Sequence, residues 1–410
     1  MSTLMPKHWD KYRLKDVFEL RNGYTPSKNN PEFWDGGKIP WFRMEDIRKN
    51  GRILSDSIQH ISEKAIKGYG LFKANSFILA TTATIGEHAW LIADSLANQR
   101  FTNLKIRKSL VKEVQPKFLF YYFFIIDKYC HAITRCTTFS AVNMDSLKMF
   151  TMYFPSLAEQ QRIADYLDIK ISEIDRQVSL LTSKRDAYLC LKKSIINRAV
   201  TKGLNYDVQM KDSGIEWIGM IPEHWEVKRG KDCIHVLYGY PADSSKFSGC
   251  NGIQLIRIRD INSTETEVRY DGDYPNTYVV HHGDLLVGMD GDFNVAKWRG
   301  GEALLNQRVC KISSKSGLKQ EFLSFIIGIP LQEINTKKVL TTVKHLSAFD
   351  IGQLSVPIPP LSEQQAIAAY LDEKCSKIDA IVANLDKQIS KYAELKRSLI
   401  DEVITGKRAV

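Results

Sequence analysis

The sequence predicts a mixed α+β (α/β) protein made of two tandem pseudo-repeats, each a mixed domain followed by one long helix, with the two helices running antiparallel. Three observations carry this. The phrase EQQRIADYL at Glu159 returns as EQQAIAAYL at Glu363, 204 residues further on. Apolar residues recur in alternating steps of four and three for about 40 residues around and after each phrase. The segments preceding the two phrases can also be laid over one another.

That overlay runs through the whole chain. PKHWDKYRLKD from Pro6 recurs as PEHWEVKRGKD from Pro222, and Gly23 and Tyr24 recur as Gly239 and Tyr240. IPWFRMEDI from Ile39 is echoed by IQLIRIRDI from Ile253, which sets Arg43 opposite Arg257 and Asp46 opposite Asp260. Asn98, Gln99 and Arg100 match Asn306, Gln307 and Arg308. SFILATTATI and GDLLVGMDG read as strands broken by turns, while KFLFYYFFIIDKY, echoed by EFLSFII, reads as a helix. The predicted division is a first mixed domain over 1–155, a helix over 156–203, a linker over 204–220, a second mixed domain over 221–358 and a second helix over 359–408. Each mixed domain is close to the usual domain size.

The predicted seam of the first helix is Leu167, Ile171, Ile174, Val178, Leu181, Arg185, Tyr188, Lys192, Ile195 and Ala199. In the second it is Leu371, Cys375, Ile378, Val382, Leu385, Ile389, Tyr392, Lys396, Leu399 and Val403. At ~1.5 Å per residue, about 40 residues make a rod of ~60 Å, too long to be covered by one small domain. Each seam therefore needs a partner of similar length, and the other helix is that partner. Ser156 with Glu159, and Ser362 with Gln365, have capping-box spacing, and Gly203 and Gly406 supply stops. The first helix ends a short linker before the second domain, so a second helix that pairs with the first has to run back along it.

Composition narrows the function classes. The 410 residues carry a formal net charge of +10 with a pI near 9.0, a balance that favours a polyanionic partner. The longest apolar run, FLFYYFFII, is far short of a membrane span, and the charged, aromatic N-terminus has no signal-peptide core. A cytoplasmic chain is expected. Seven cysteines at irregular spacings fit a reducing compartment. Cys130, His131 and Cys136 are zinc ligands by residue type, but they lack a paired C-x-x-C spacing and fit equally well as core residues. No phosphate-binding G-x-x-x-x-G-K-[ST] loop is present, so ATP chemistry is not expected here. The acidic cluster Asp284, Asp290 and Asp292 with Lys297 has the residue types of a magnesium nuclease, and also those of a turn.

Two related basic domains on a spacer have the geometry of a DNA reader that contacts two half-sites. The rod limits their separation to roughly 17 base pairs at ~3.4 Å each. Similar but unlike domains imply unlike half-sites around unread base pairs. A stand-alone magnesium-dependent nuclease and a coiled-coil scaffold that binds only protein are the alternatives.

SGIEWIGMIPEHWE from Ser213, the doubled EQQ-x-I-A-x-Y-L-D and the endings RAVTKGL and DEVITGK resemble the specificity subunit of type I restriction-modification systems over essentially the full chain. The resemblance implies a non-catalytic, DNA-binding subunit with two target-recognition domains. It also implies partners: double-stranded DNA, two modification (methyltransferase) subunits and two restriction (translocase and nuclease) subunits, with no membrane association. S-adenosylmethionine, ATP and magnesium are then expected on those partners, and no cofactor on this chain. No Asn-Pro-Pro-aromatic motif of adenine methyltransferases occurs; Asn30 and Pro31 are followed by Glu32 and Phe33.

Base readers are expected in loops where the halves differ and where Arg, Lys, Asn or Gln can meet base edges. In the first domain these are Lys28, Asn29, Arg48, Lys49 and Asn50, and in the second Lys246, Asn251, Arg259 and Asn262. Arg43 and Arg257, common to both halves, are expected to contact DNA phosphates or to hold the fold, and the Asn-Gln-Arg pair to be structural.

Overall fold

The computed structural model describes residue 6 and residues 8–134, 141–337 and 344–410. Two helices dominate it, Leu157–Lys202 of 46 residues and Leu361–Ile404 of 44. The chain divides into two compact units, Met1–Leu181 with Lys387–Val410, and Thr182–Asp386. Each unit thus takes one mixed domain, one end of one long helix and the opposite end of the other.

In the first unit a five-stranded sheet has the order Ile53–Leu54, His88–Leu91, Ser76–Ala80, Phe101–Ile106, Phe18–Asn22, antiparallel except for the parallel edge pair Ile53–Leu54 with His88–Leu91. Helix Pro116–Thr134 buries Phe118, Leu119, Phe123 and Ile126 in the core beneath that sheet. A second sheet centres on Ile39–Phe42, antiparallel to His60–Ile61 and parallel to Leu96–Ala97. The second unit repeats the plan. A four-stranded antiparallel sheet runs Ile234–Tyr238, Val309–Ser314, Leu285–Gly288, Val295–Lys297. A five-stranded sheet has Ile253–Ile256 parallel to Ala303–Leu305.

The shared residues hold these sheets at the same joints. A Cβ on Gly23 would lie 2.3 Å from the Asn98 carbonyl oxygen, and one on Gly239 would lie 2.0 Å from that of Asn306. Only glycine admits so close an approach. The Tyr24 and Tyr240 amides then donate to the Ala97 and Leu305 carbonyls. Asp46 and Asp260, both buried, accept from the Arg43 and Arg257 amides at 2.7 and 3.1 Å.

The EQQ phrase has a structural role of its own. Gln160 and Gln364 are fully buried at the starts of the long helices. Gln160 donates to the carbonyls of Pro155 and Glu113 and accepts from the Gln115 amide. Gln364 donates to Pro359 and Gly317 and accepts from Lys319. Each amide thereby saturates three backbone groups where its helix leaves its mixed domain.

Both helices stop at left-handed glycines, Gly203 (φ 72°) and Gly406 (φ 68°). Their starts differ. Ser156 accepts from the Glu159 amide at 3.3 Å, but the second helix begins at Leu361, so Ser362 lies inside its first turn and Pro360 stands where Ser156 does. Proline offers no side-chain oxygen, and the expected Ser362 cap gives way to Gln364 on Pro359.

Within each unit the two helix segments run in opposite directions. In the first unit Lys396 pairs with Asp175, and Leu167, Ile171 and Ile174 share a core with Leu399, Val403 and Ile404, flanked by Val178 and Tyr392. In the second, Lys192 pairs with Asp379 and Arg185 with Asp386, and Ala199 and Val200 share a core with Ile367 and Leu371. An antiparallel repeat can produce a pair twice with roles exchanged, and Asp175 with Lys396 and Asp379 with Lys192 are such a couple; Arg185 with Asp386 has no counterpart, because Ile389 and Thr182 stand at the matching positions. Leu181, Tyr188, Val382, Ile389 and Tyr392 are half-buried, and Ile378 and Leu385 buried. Burying each large aliphatic is worth ~1.5–3 kcal/mol against ~0–1 for a solvent-exposed ion pair. The seam supplies the stability and the ion pairs define direction and register.

The segment 204–220 is more than a tether. Met210–Asp212 pairs antiparallel with Met220–Pro222, and Ile215, Trp217 and Ile218 pack on the second core.

Candidate nucleic-acid interface

In the second unit the fold gathers polar side chains from four separate segments into one concavity of about 660 Å³. Arg257 and Arg259 come from the turn after strand Ile253–Ile256, and Asn262 follows them. Asn294 comes from the hairpin tip after Leu285–Gly288, and Gln307 and Arg308 from the turn before Val309–Ser314. The turns meet because the Asn306 amide donates to the Ile256 carbonyl and the Val309 amide to Asn306. Ser244 and Phe247 close one side. Among the described residues no carboxylate lines it. Its arginines keep carboxylate partners outside the lining, Arg257 and Arg259 with Glu267 at 3.5 and 4.0 Å and Arg308 with Asp290, and the donors left over, with the carboxamides, are suited to phosphate oxygens and to the acceptor-rich edges of bases.

Phe293, beside Asn294, is buried with φ 48°, a left-handed conformation that bulky residues avoid. Ala83 in the matching hairpin tip of the first unit has φ 63°. It lines a smaller concavity of about 450 Å³ with Arg48 and Glu87. Hairpin tips of constrained backbone therefore edge the candidate surface in both units.

The predicted contact residues are placed in different ways. Arg257, Arg259 and Asn262 stand together in the concavity of the second unit. Lys28 and Asn29 lie on an exposed turn, and Arg48, Lys49 and Asn50 on the exposed end of the short helix Met44–Asn50. Lys246 and Asn251 are exposed but line neither concavity. Arg43 pairs with Glu45 at 2.8 Å and lies over the Trp41 ring, while Arg257 pairs with Asp260 at 3.0 Å and Glu267 at 3.5 Å. Both are tied to carboxylates of their own domains. Asn294 carries no mark in the sequence; Gln307 and Arg308 belong to the repeated Asn-Gln-Arg expected to be structural, and only the fold brings that turn beside Arg257.

Three members of the acidic cluster have internal partners. Asp284 takes Lys311 at 2.8 Å, Asp290 takes Arg308 and His345, and Lys297 lies over the Phe325 ring. The carboxylates of the nuclease reading are thus not converged on one point, and among the described residues no group of three or more His, Cys, Asp or Glu is placed to hold a metal ion. Cys130 is buried, and burial together with Asp127 pushes its thiol up to about 12, the opposite of a metal-ligating thiolate. Cys136 of the zinc reading lies outside the described residues. No described helix is long and apolar enough to cross a membrane.

The comparisons with known proteins agree with this architecture. The model of the type I restriction modification DNA specificity domain matches the chain twice, over residues 6–180 and 222–391. The chain belongs to that family, one copy of the domain in each half. A type I restriction enzyme EcoprrI specificity subunit from Escherichia coli is 50% identical over 162 residues, 38% of this chain; the chain spans 40% of that relative's length. The MjaIX specificity subunit from Methanocaldococcus jannaschii is 27% identical over 99% of this chain and 95% of its own. A chain from a solved structure concerned with complex assembly and conformational transition of the type I R-M system shares the fold, with a TM-score of 0.69 at 15% identity over 98% of this chain and 99% of that one.

Proposed function

We propose that this chain is the DNA-reading specificity subunit of a type I restriction-modification complex, and that each mixed domain reads one half of a two-part, asymmetric DNA target. It performs no chemistry itself and acts by choosing the site. The observation that carries the reading is the concavity of arginines, asparagines and a glutamine in the second unit, within a specificity domain that the chain contains twice.

The family membership, the net charge of +10 and the paired helices support the rest of the reading. Arg259, Asn262 and their neighbours contact one half-site; Lys28, Asn29, Arg48, Lys49 and Asn50 contact the other. Arg43, Arg257, Lys246 and Asn251 contribute nearby charge and hydrogen bonds to the backbone. The helices fix the gap and give two modification subunits a place to dock; two restriction subunits join the assembly. S-adenosylmethionine, ATP and magnesium serve those partners, in the cytoplasm where the DNA is.

The test is to co-express the chain with a modification subunit in a host free of adenine methylation and map methyladenine across the genome. A new two-part motif with unlike halves and a constant gap is the expected result. Methylation at an ungapped motif, or none above the level given by the modification subunit alone, would overturn the reading.

A further inference from the structure

The Asn-Gln-Arg turn is common to both halves, and its backbone is held alike in each. Asn98 accepts from the Arg100 amide at 3.0 Å, and Asn306 from the Arg308 amide at 3.3 Å. The two arginine side chains are treated differently. The Arg100 guanidinium is exposed and donates to none of the described residues. Arg308 donates through Nη1 to Oδ2 of Asp290, whose other oxygen faces His345 Nδ1 at 2.8 Å. The positions that match Asp290 and His345 in the first half are Thr82 and Ala141, each in the same backbone bridge.

Asp290 is a firm support. Its side chain is only 14% exposed, against 64% for Arg308. Burial alone would raise its carboxyl, but the bonds from His345 and Arg308 outweigh burial and hold it below its ordinary value. Three segments are stitched around it: the Met289 amide donates to the Arg308 carbonyl, Leu346 to Met289, and Gly291 to Lys344. With Nη1 tied, the Nε and Nη2 donors of Arg308 have no partner among the described residues, and the side chain lines the same concavity as Arg259, Asn262 and Asn294.

We propose that Arg308, buttressed by Asp290, is a specificity-determining residue of the second domain that reads a guanine through its remaining pair of donors. This rests on the DNA-reading function proposed above. Guanine is the base whose major-groove edge offers two adjacent acceptors, O6 and N7, matched to a guanidinium fork. A fork already fixed on one side loses less freedom when it binds, and it cannot swing to other bases. An arginine common to both halves can therefore read bases in one half only, because only that half supplies the carboxylate that aims it. Asp290 acts as a positioning residue.

The experiment measures competition binding by the full chain with duplexes that carry its selected target and every single base-pair substitution in it. Wild type should show one G·C position in one half-site at which any substitution weakens binding roughly tenfold or more. Arg308→Ala should flatten that position alone, and the other half-site, read by the first domain, reports that the variant is folded. Arg308→Lys, which keeps the charge but not the fork, should bind the selected target within a few-fold and still lose the preference. Asp290→Ala should weaken the preference several-fold. Preference retained by Arg308→Ala or Arg308→Lys would overturn the inference while leaving the two-part reading standing. A wild-type chain that selects no two-part target would overturn both together.

Discussion

His88 shows how one buried residue imposes a pH limit. It is fully buried against Phe120, Phe123 and Phe124, with Nδ1 facing the Gly86 carbonyl at 3.1 Å and Arg52 Nη1 at 3.2 Å, and Nε2 without a partner among the described residues. Burial first, then the charge of Arg52, lowers its pKa to about 3. Above pH ~6.5 folded and unfolded states both hold a neutral ring. As the pH falls through ~6.5 the unfolded chain binds a proton that the folded chain refuses, and stability drops by up to ~1.4 kcal/mol per pH unit toward pH 3. Between pH 6.5 and 5 this group should cost the wild type roughly 2 kcal/mol. His88→Gln should remove that part of the pH dependence, as seen in urea midpoints at pH 7 and 5; equal pH dependence in both proteins would contradict this account. Gly239 is equally specific. Gly239→Ala forces a methyl group against the Asn306 carbonyl, and a loss of about 2–3 kcal/mol is expected from overpacking.

Among the elements, the long helices owe their form to two separable features, the buried glutamine at the start and the apolar seam. Gln364→Ala leaves the Gly317 and Pro359 carbonyls and the Lys319 amide without their partner, and about 3 kcal/mol of stability should go with it. Gln364→Glu, which lacks the amide donor, should restore little of that. Ile174 and Ile378 are buried seam residues, one from each unit. A carboxylate at either place should cost on the order of 4 kcal/mol. Ile174→Asp with Ile378→Asp should abolish gapped recognition while near-ultraviolet dichroism still reports folded mixed domains; retained gapped recognition would show that the helices do not set the gap.

The helices were legible in the sequence because a spacing of fours and threes sustained over ten positions belongs to one structure. The repeat was legible because the residues it preserves, such as Gly23 with Gly239 and Gln160 with Gln364, are those whose backbone or hydrogen-bonding roles admit no substitute. Sheet order was not legible. Ser76–Ala80 and Leu285–Gly288 are buried at every position and so lack alternation, and several partner strands have only two or three residues. The concavity was only half legible for a related reason. Arg257 and Arg308 are brought together by the parallel pairing of Ile253–Ile256 with Ala303–Leu305, a non-local contact that leaves no mark on either segment.

For the whole molecule, the proposed function implies that a basic chain with two copies of one specificity domain would gain selectivity by requiring both half-sites at once. If phosphate contacts dominate affinity, binding to unselected DNA should fall steeply with salt while discrimination between right and wrong half-sites changes little. Titrations at 50 and 200 mM salt check this. The central claim, that each domain reads one of two unlike half-sites across a fixed gap, is tested most directly by selection from random DNA duplexes with the full chain and a modification subunit, followed by sequencing of what is retained. The account predicts one motif with two unlike halves and an invariant number of unread base pairs between them. A single ungapped motif, or no enrichment, would contradict it.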